Sequence, residues 1–109
     1  MMISEVEPDL RQLIQTLRDG NLETAKDRTV ELIECTCRMS EPMYREENIR
    51  PGARPQVPEY KSAAVKLRIL TKDLRDVSFT MRRGTPADAL EMAERALVDF
   101  LKPEAVART

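Results

Sequence analysis

Residues 10–20, LRQLIQTLRDG, recur sixty-four positions later as residues 74–84, LRDVSFTMRRG. Five positions are identical in the two copies, and an apolar residue matches an apolar residue at two more. Each copy ends in a glycine, a residue that commonly follows the last turn of a helix. A second helix with an apolar pattern of helical period is expected to begin within two residues of that glycine. Because a turn this short makes consecutive helices antiparallel, each copy predicts one helical hairpin.

The apolar residues along the chain predict four helices. Ser4 and Glu7 have the spacing of a capping box at the start of helix 1, and Gly20 is expected to end that helix in a left-handed conformation. The expected ranges are 4–20 for helix 1, 21–40 for helix 2, 59–83 for helix 3 and 85–102 for helix 4. We therefore predict an all-α protein in which two antiparallel helical hairpins form a four-helix bundle-like domain.

A proline-rich segment separates the two hairpins. Four of the seven prolines lie within residues 42–58, and proline both lacks a backbone donor and pushes its predecessor out of the helical conformation. Within a single domain of residues 1–109, we predict hairpin 1 at 5–41, a Pro-rich loop at 42–58, hairpin 2 at 59–102 and a frayed tail at 103–109. Helix 3 is longer than helix 1, so its first turns are expected to need cover from the loop or from another subunit.

The composition is typical of a helical protein. The chain has 109 residues, of which 34% are charged, but only three glycines. Helices with solvated outer faces have this balance, whereas sandwiches and barrels need more glycine and more β-branched residues. Apolar runs are too short for a membrane span or a signal peptide, and two cysteines are too few for a disulfide framework. We expect a cytoplasmic protein that does not bind a membrane.

The second hairpin weakly resembles the second-helix half of a tetratricopeptide repeat. The residues that carry the resemblance are Gly84, Ala89, Ala96 and Leu97. The first-helix side departs from that family, because Asp76 and Val77 stand where a large apolar and a small residue are usual. The resemblance implies a tight helical hairpin, since small residues let two helices approach closely, and it assigns no partner.

The sequence argues against catalysis. It contains no histidine, which excludes Ser-His-Asp and Cys-His arrangements and removes the most usual general base at neutral pH. It also lacks a glycine-rich phosphate loop. Cys35 and Cys37 are two residues apart on helix 2, so their thiols point in nearly opposite directions and cannot easily bind one metal ion. We expect no enzyme activity and no metal or cofactor, with a thiol-dependent metal or redox site as the weakest alternative.

The outer face of helix 3 is the candidate functional surface. Basic residues recur along it at helical spacing, and large apolar residues lie away from the predicted bundle seam. The candidate surface consists of Lys61, Val65, Arg68, Ile69, Lys72, Arg75, Phe79 and Arg82, and the loop residues Arg50 and Arg54 are candidate additional contacts. Residues 43–83 carry ten bases and five acids, although the net charge of the whole chain is only −1.

Two functions fit this surface. We predict a protein–protein interaction module, such as an adaptor, an assembly subunit or a small regulator, that self-associates through helix 3 into a homo-oligomer, because a helix with apolar residues on two sides needs two partners. The alternative is a nucleic-acid-associated factor, in which the basic residues of helix 3 and of the loop follow a phosphate backbone. A third interpretation is a solvated face over which the loop folds.

Overall fold

The computed structural model describes residues 3–47 and 63–102, with side chains up to residue 43 in the first range. A short 3-10 turn, Ile3–Glu5, leads into the first of four α-helices. These are α1 at Val6–Arg18, α2 at Leu22–Glu47, α3 at Ala63–Arg83 and α4 at Pro86–Phe100. The all-α prediction is confirmed, since the described part of the chain contains helices and turns and no strand.

The four helices pack as a bundle. Helix α2 contacts both α1 and α3, and helix α4 contacts both α3 and α1. The helices therefore occupy the four corners of a bundle, with α1 diagonal to α3 and α2 diagonal to α4. Short turns join α1 to α2 and α3 to α4, so the two hairpins are antiparallel as predicted.

The sequence repeat is also a repeat of the core. Positions sixty-four residues apart are buried in both halves, from the first turn of α1 to the middle of α2 and at the matching places in α3 and α4. The matched buried pairs are Val6 and Leu70, Leu10 and Leu74, Leu13 and Val77, Leu17 and Met81, Ala25 and Ala89, Thr29 and Ala93, and Leu32 and Ala96. Each hairpin thus contributes an equivalent apolar face to one shared core.

The two glycines of the repeat end their helices in different ways. Gly20 has φ +78 and, with Asn21, forms the paired backbone hydrogen bonds of a Schellman motif, to Leu17 O and Thr16 O, both 3.1 Å long. Gly84 is not in the left-handed region, but a Cβ at that position would lie 3.1 Å from Thr80 Cγ2. The left-handed cap predicted at Gly20 is confirmed, while at Gly84 the close approach of Thr80 leaves little room for a Cβ.

The cap predicted at the N-terminus of α4 is present, but the cap predicted at the N-terminus of α1 is not. The Thr85 hydroxyl accepts a hydrogen bond from the backbone N–H of Asp88 at 3.1 Å, and Pro86 opens α4. The capping box at Ser4 is wrong, because α1 begins at Val6 after Glu5, which makes no side-chain cap. The 3-10 turn takes up the residues where the capping box was expected.

Helix α2 is longer than predicted, so the loop boundary at residue 42 is wrong. The helix continues through Pro42 to Glu47, although proline removes one hydrogen bond of the helical ladder. Packing offsets this loss, because Ser40 is buried and both Met39 and Met43 pack against the core. The remainder of the predicted loop (residues 48–58), the first turn expected for helix 3 (residues 59–62) and the predicted tail (103–109) lie outside the described residues.

The long α2 contributes cover for the start of α3. Helix α3 packs along α2, and both Ala64 and Leu67 in its first described turns are fully buried. The cover expected from the loop or from another subunit stays a prediction. In the described ranges, none of the helices combines the length and the apolar character that crossing a membrane requires.

Candidate interaction surface on α2 and α3

The structure divides the predicted surface residues of α3 between two sides of the helix. Arg68 and Arg75 line a groove between α2 and α3, together with Cys37 and Glu41 of α2. Ile69 instead lines a groove between α3 and α4. The predicted residues therefore do not form one continuous patch, because the helix turns them toward two different neighbours.

Phe79 is the most exposed of the three predicted apolar residues. Its exposed fraction is 59%, compared with 36% for Ile69. Val65 is only partly exposed. Val65 and Arg68 each already make an interaction within the chain. Phe79 is thus the apolar side chain of α3 that gains most from contact with another molecule. Lys61, Arg50 and Arg54 lie outside the described residues.

The basic residues around Phe79 have no acidic partner among the described residues. Salt bridges stabilise cations on the other helices, including Arg18 with Glu94 at 2.6 Å and Arg11 with Glu7 at 2.9 Å. On α3, four exposed cations make no ion pair in the described ranges, and all lie three, four or seven positions from Phe79. These residues are Lys72, Arg75, Arg82 and Arg83. We call Arg68, Lys72, Arg75, Phe79 and Arg82 the basic stripe.

A second stripe, on α2, was not recognised from the sequence as part of a surface. Its residues repeat at intervals of four and three, which places them on one side of the helix. They are Glu23, Asp27, Val30, Glu34, Cys37 and Glu41, and we call them the acidic stripe. Val30, near its centre, is 49% exposed. The signal was available in the spacing of these residues on one helix.

The acidic and basic stripes meet at the groove between α2 and α3, while Glu34 of the acidic stripe also borders the groove between α1 and α2. A groove between α2 and α3 is lined by Cys37 and Glu41 from the acidic stripe and by Arg68 and Arg75 from the basic stripe. The α2/α3 face therefore has an acidic half on α2 and a basic half on α3. Each half has one well-exposed apolar side chain, Val30 on α2 and Phe79 on α3.

The opposite side of α3 carries a groove lined by two aspartates and by the lysines Lys66 and Lys102. Asp73 and Asp99 line the space between α3 and α4, above a floor that includes Leu70 and Ala96. Partial burial raises the pKa of Asp73, and the nearby carboxylates of Asp99 and Asp76 raise it further, whereas Lys72 lowers it. Asp73 has no ion-pair partner within the described ranges, so its carboxylate is destabilised where it lies.

The cysteines occupy separate grooves. Cys35 lies between α1 and α2, near Arg28 and Asp9, while Cys37 lies between α2 and α3. Both thiols are free and half-buried. No group of three His, Cys, Asp or Glu side chains in the described ranges is arranged to hold a metal ion. The two thiols cannot act on one ligand, as their spacing on a helix predicts.

Comparisons with protein-family models, with curated proteins and with solved structures return no match for this chain.

Proposed function

We propose that the protein is a non-enzymatic protein–protein interaction module, an adaptor, an assembly subunit or a small regulator, that binds through the outer face of α3 and self-associates. The observation that carries this proposal is the exposed Phe79, surrounded by cations that have no acidic ion-pair partner among the described residues. Aromatic side chains and arginine are enriched at the energetically important positions of protein interfaces. A charged, aromatic-centred surface of this kind is suited to an acidic protein surface.

The free energy available at this surface comes mainly from Phe79. Complete burial of a Phe side chain is worth ~1.5–3 kcal/mol relative to solvent, and more than half of this side chain remains exposed in the monomer. The cations orient the partner and speed its association more than they increase its affinity, because exposed ion pairs are each worth ~0–1 kcal/mol. A partner that covers Phe79 and offers carboxylates around it satisfies both requirements.

Nucleic acid is the second candidate ligand. Lys72, Arg75 and Arg82, which make no ion pair within the described ranges, favour it, because a row of cations can neutralise successive phosphates. The acidic stripe on the neighbouring helix opposes it, since a phosphate backbone that follows Arg68 and Arg75 passes close to the carboxylate of Glu41 in the same groove. Phe79 also has no second exposed aromatic residue beside it in the described ranges for base stacking. We favour a protein partner for these reasons.

Site-specific photo-crosslinking distinguishes the two candidates. A photoreactive phenylalanine analogue is placed at position 79 of the full chain, and in a second variant at position 98, and each is irradiated in cells that express it. Val98, on the outer face of α4, is a matched control because its exposed fraction is also 59%. We expect protein adducts from position 79 that are absent from position 98.

The fate of the adducts decides between the functions. Adducts from position 79 that survive nuclease and are degraded by protease support a protein-binding module. Adducts that disappear on nuclease treatment support the nucleic-acid alternative. If position 79 gives no more adducts than position 98, the outer face of α3 is not the binding surface and the proposal is wrong.

A further inference from the structure

We infer that the partner of the α2/α3 face is a second copy of the same chain, placed by a twofold axis that runs parallel to the helices through the groove between α2 and α3. In this dimer the acidic stripe of each copy contacts the basic stripe of the other. The inference rests on the proposed function, because it specifies the partner of the same surface. It follows from the charges of the two stripes, from the spacing of their residues and from the heights of these residues along the bundle axis.

The two stripes are complementary in charge and in spacing. The acidic stripe offers four carboxylates around Val30, while the basic stripe offers four cations around Phe79. Both stripes advance by alternate steps of four and three residues, the spacing with which side chains of two packed helices interdigitate. The acidic stripe of one copy can therefore pair with the basic stripe of another copy, and each copy has both.

The symmetry of the face requires α2 to lie on α3 of the other copy. A twofold interface brings one patch against the same patch, and a contact of α3 with α3 places Arg75 and its neighbouring cations against like charges, which is unfavourable. An axis parallel to the helices, between α2 and α3, instead exchanges the two helices across the interface. Each copy then forms the acidic-to-basic contact twice.

The heights of the residues along the bundle fit this arrangement. The Thr36 and Thr71 hydroxyls touch across α2 and α3, so these residues lie at the same height in two antiparallel helices. Val30 lies six residues before Thr36 in α2, and Val77 lies six residues after Thr71 in α3. Because the helices are antiparallel, Val30 and Val77 lie at the same height, and Phe79 is two residues beyond Val77. An axis parallel to the helices leaves heights unchanged, so Phe79 of one copy falls within about 3 Å, along the axis, of Val30 in the other.

The flanking charges follow the same register. Two residues back from Thr36 is Glu34, which is level with Asp73 and so lies in height between Lys72 and Arg75 of the other copy. In the opposite direction, Asp27 is level with Thr80, between Phe79 and Arg82 of the other copy. Both of these contacts join opposite signs.

The face is large enough for a specific dimer. Helix α3 has 21 residues, a length of ~30 Å at the rise of an α-helix, and two packed helices span ~20 Å. Such a face presents ~600 Å² before side-chain relief is counted, against the ~800 Å² that each partner contributes to a standard interface. The area is that of a specific but moderate association.

Exchange of charges tests the arrangement. Glu34 and Arg75 are exposed and make no ion pair within the described residues, so Glu34→Arg and Arg75→Glu leave the fold intact, which thermal unfolding checks. We expect the wild type to sediment as a dimer at tens of micromolar, and each variant alone to dimerise at least tenfold more weakly. An equimolar mixture of the two variants is expected to form a heterodimer of near wild-type affinity, because each interface pair again joins opposite charges.

Cysteine crosslinking of the otherwise unchanged chain gives a second, independent readout. Cys37 lines the groove through which the axis passes, whereas Cys35 faces the groove between α1 and α2. With a short bis-maleimide, Cys35→Ser is expected to give a covalent dimer through Cys37. The matched variant Cys37→Ser, which keeps an equally half-buried thiol, is expected to give none.

The outcomes separate this inference from the proposed function. A wild type that is monomeric at tens of micromolar, or a mixture of charge variants that does not dimerise, overturns the second copy as the partner. If position 79 still forms specific protein adducts in cells, the interaction module stands with a different partner. A dimer that neither charge variant weakens and that crosslinks through Cys35 places the interface on another face.

Discussion

The hydroxyl oxygens of Thr36 and Thr71 lie 2.7 Å apart at the buried contact between α2 and α3. Each oxygen also lies near a carbonyl one turn back in its own helix, that of Leu32 at 2.9 Å and that of Leu67 at 2.8 Å. One hydroxyl therefore donates to the other, while the second donates to a carbonyl of its own helix. This pair joins the two hairpins and aligns α2 with α3 along the bundle.

Replacing one threonine of this pair should cost more than replacing both. Thr36→Val or Thr71→Val alone removes a buried partner, and we expect a loss of ~1 kcal/mol in the free energy of unfolding. The double variant buries two methyl groups against each other and should be close to the wild type. Urea unfolding of the four proteins gives the coupling energy. Additive losses would show that the hydroxyls act independently.

Equivalent core positions of the repeat should be equally sensitive to truncation. Leu10 and Leu74 are both fully buried, so Leu10→Ala and Leu74→Ala should each lower the free energy of unfolding by ~2–5 kcal/mol. Val98→Ala on the exposed face of α4 is the control and should change it by less than ~0.5 kcal/mol. Chemical denaturation measures all three. A loss below ~1 kcal/mol at both leucines would contradict the buried seam.

Substitution of Gly20 tests the left-handed cap. A Cβ at this position meets no other atom within 4 Å, so Gly20→Ala has no steric clash and should cost ~1–2 kcal/mol through backbone strain alone. Gly20→Asn should be less destabilising, because asparagine tolerates positive φ better. Thermal unfolding of the two variants ranks them. Equal stability of Ala and Asn at position 20 would contradict this explanation.

The raised pKa of Asp73 predicts a pH-dependent change in stability. A carboxyl group whose pKa is higher in the folded than in the unfolded protein destabilises the fold as pH rises from its ordinary value of 3.8 through the raised value. Asp73→Asn should therefore be more stable than the wild type at neutral pH, and the difference should vanish in acid below pH 3.8. Urea unfolding at both conditions measures the change.

An exposed acid on the other side of the bundle provides the control for Asp73. Glu31→Gln removes an exposed negative charge from α2, outside the acidic stripe, without relieving the groove between α3 and α4. We expect it to leave the stability difference between neutral and acid conditions close to that of the wild type. An equal effect of the two variants would assign the change to net charge rather than to the surroundings of Asp73.

The candidate surface could be predicted only in part. The spacing of Lys72, Arg75 and Phe79 on one helix identified an unusual outer face, because side-chain position on a helix depends only on residue number. Ile69 was predicted to lie on the same face, but it lines the groove between α3 and α4 instead. Val30 was not predicted to belong to the surface, because that role depends on α3, the basic helix, lying next to α2.

The order of elements, the turns and the core were encoded locally. Helical period, the glycine at residue 20 and the cap at Thr85 act within a few residues, so the repeat alone determined four helices, two hairpins and the buried positions of each. The length of α2 was decided by long-range packing, since contacts of its last turns with the core outweigh the hydrogen bond lost at Pro42. The pairing of an acidic α2 with a basic α3 on one face also required the tertiary structure, because charge complementarity between helices depends on which helices become neighbours.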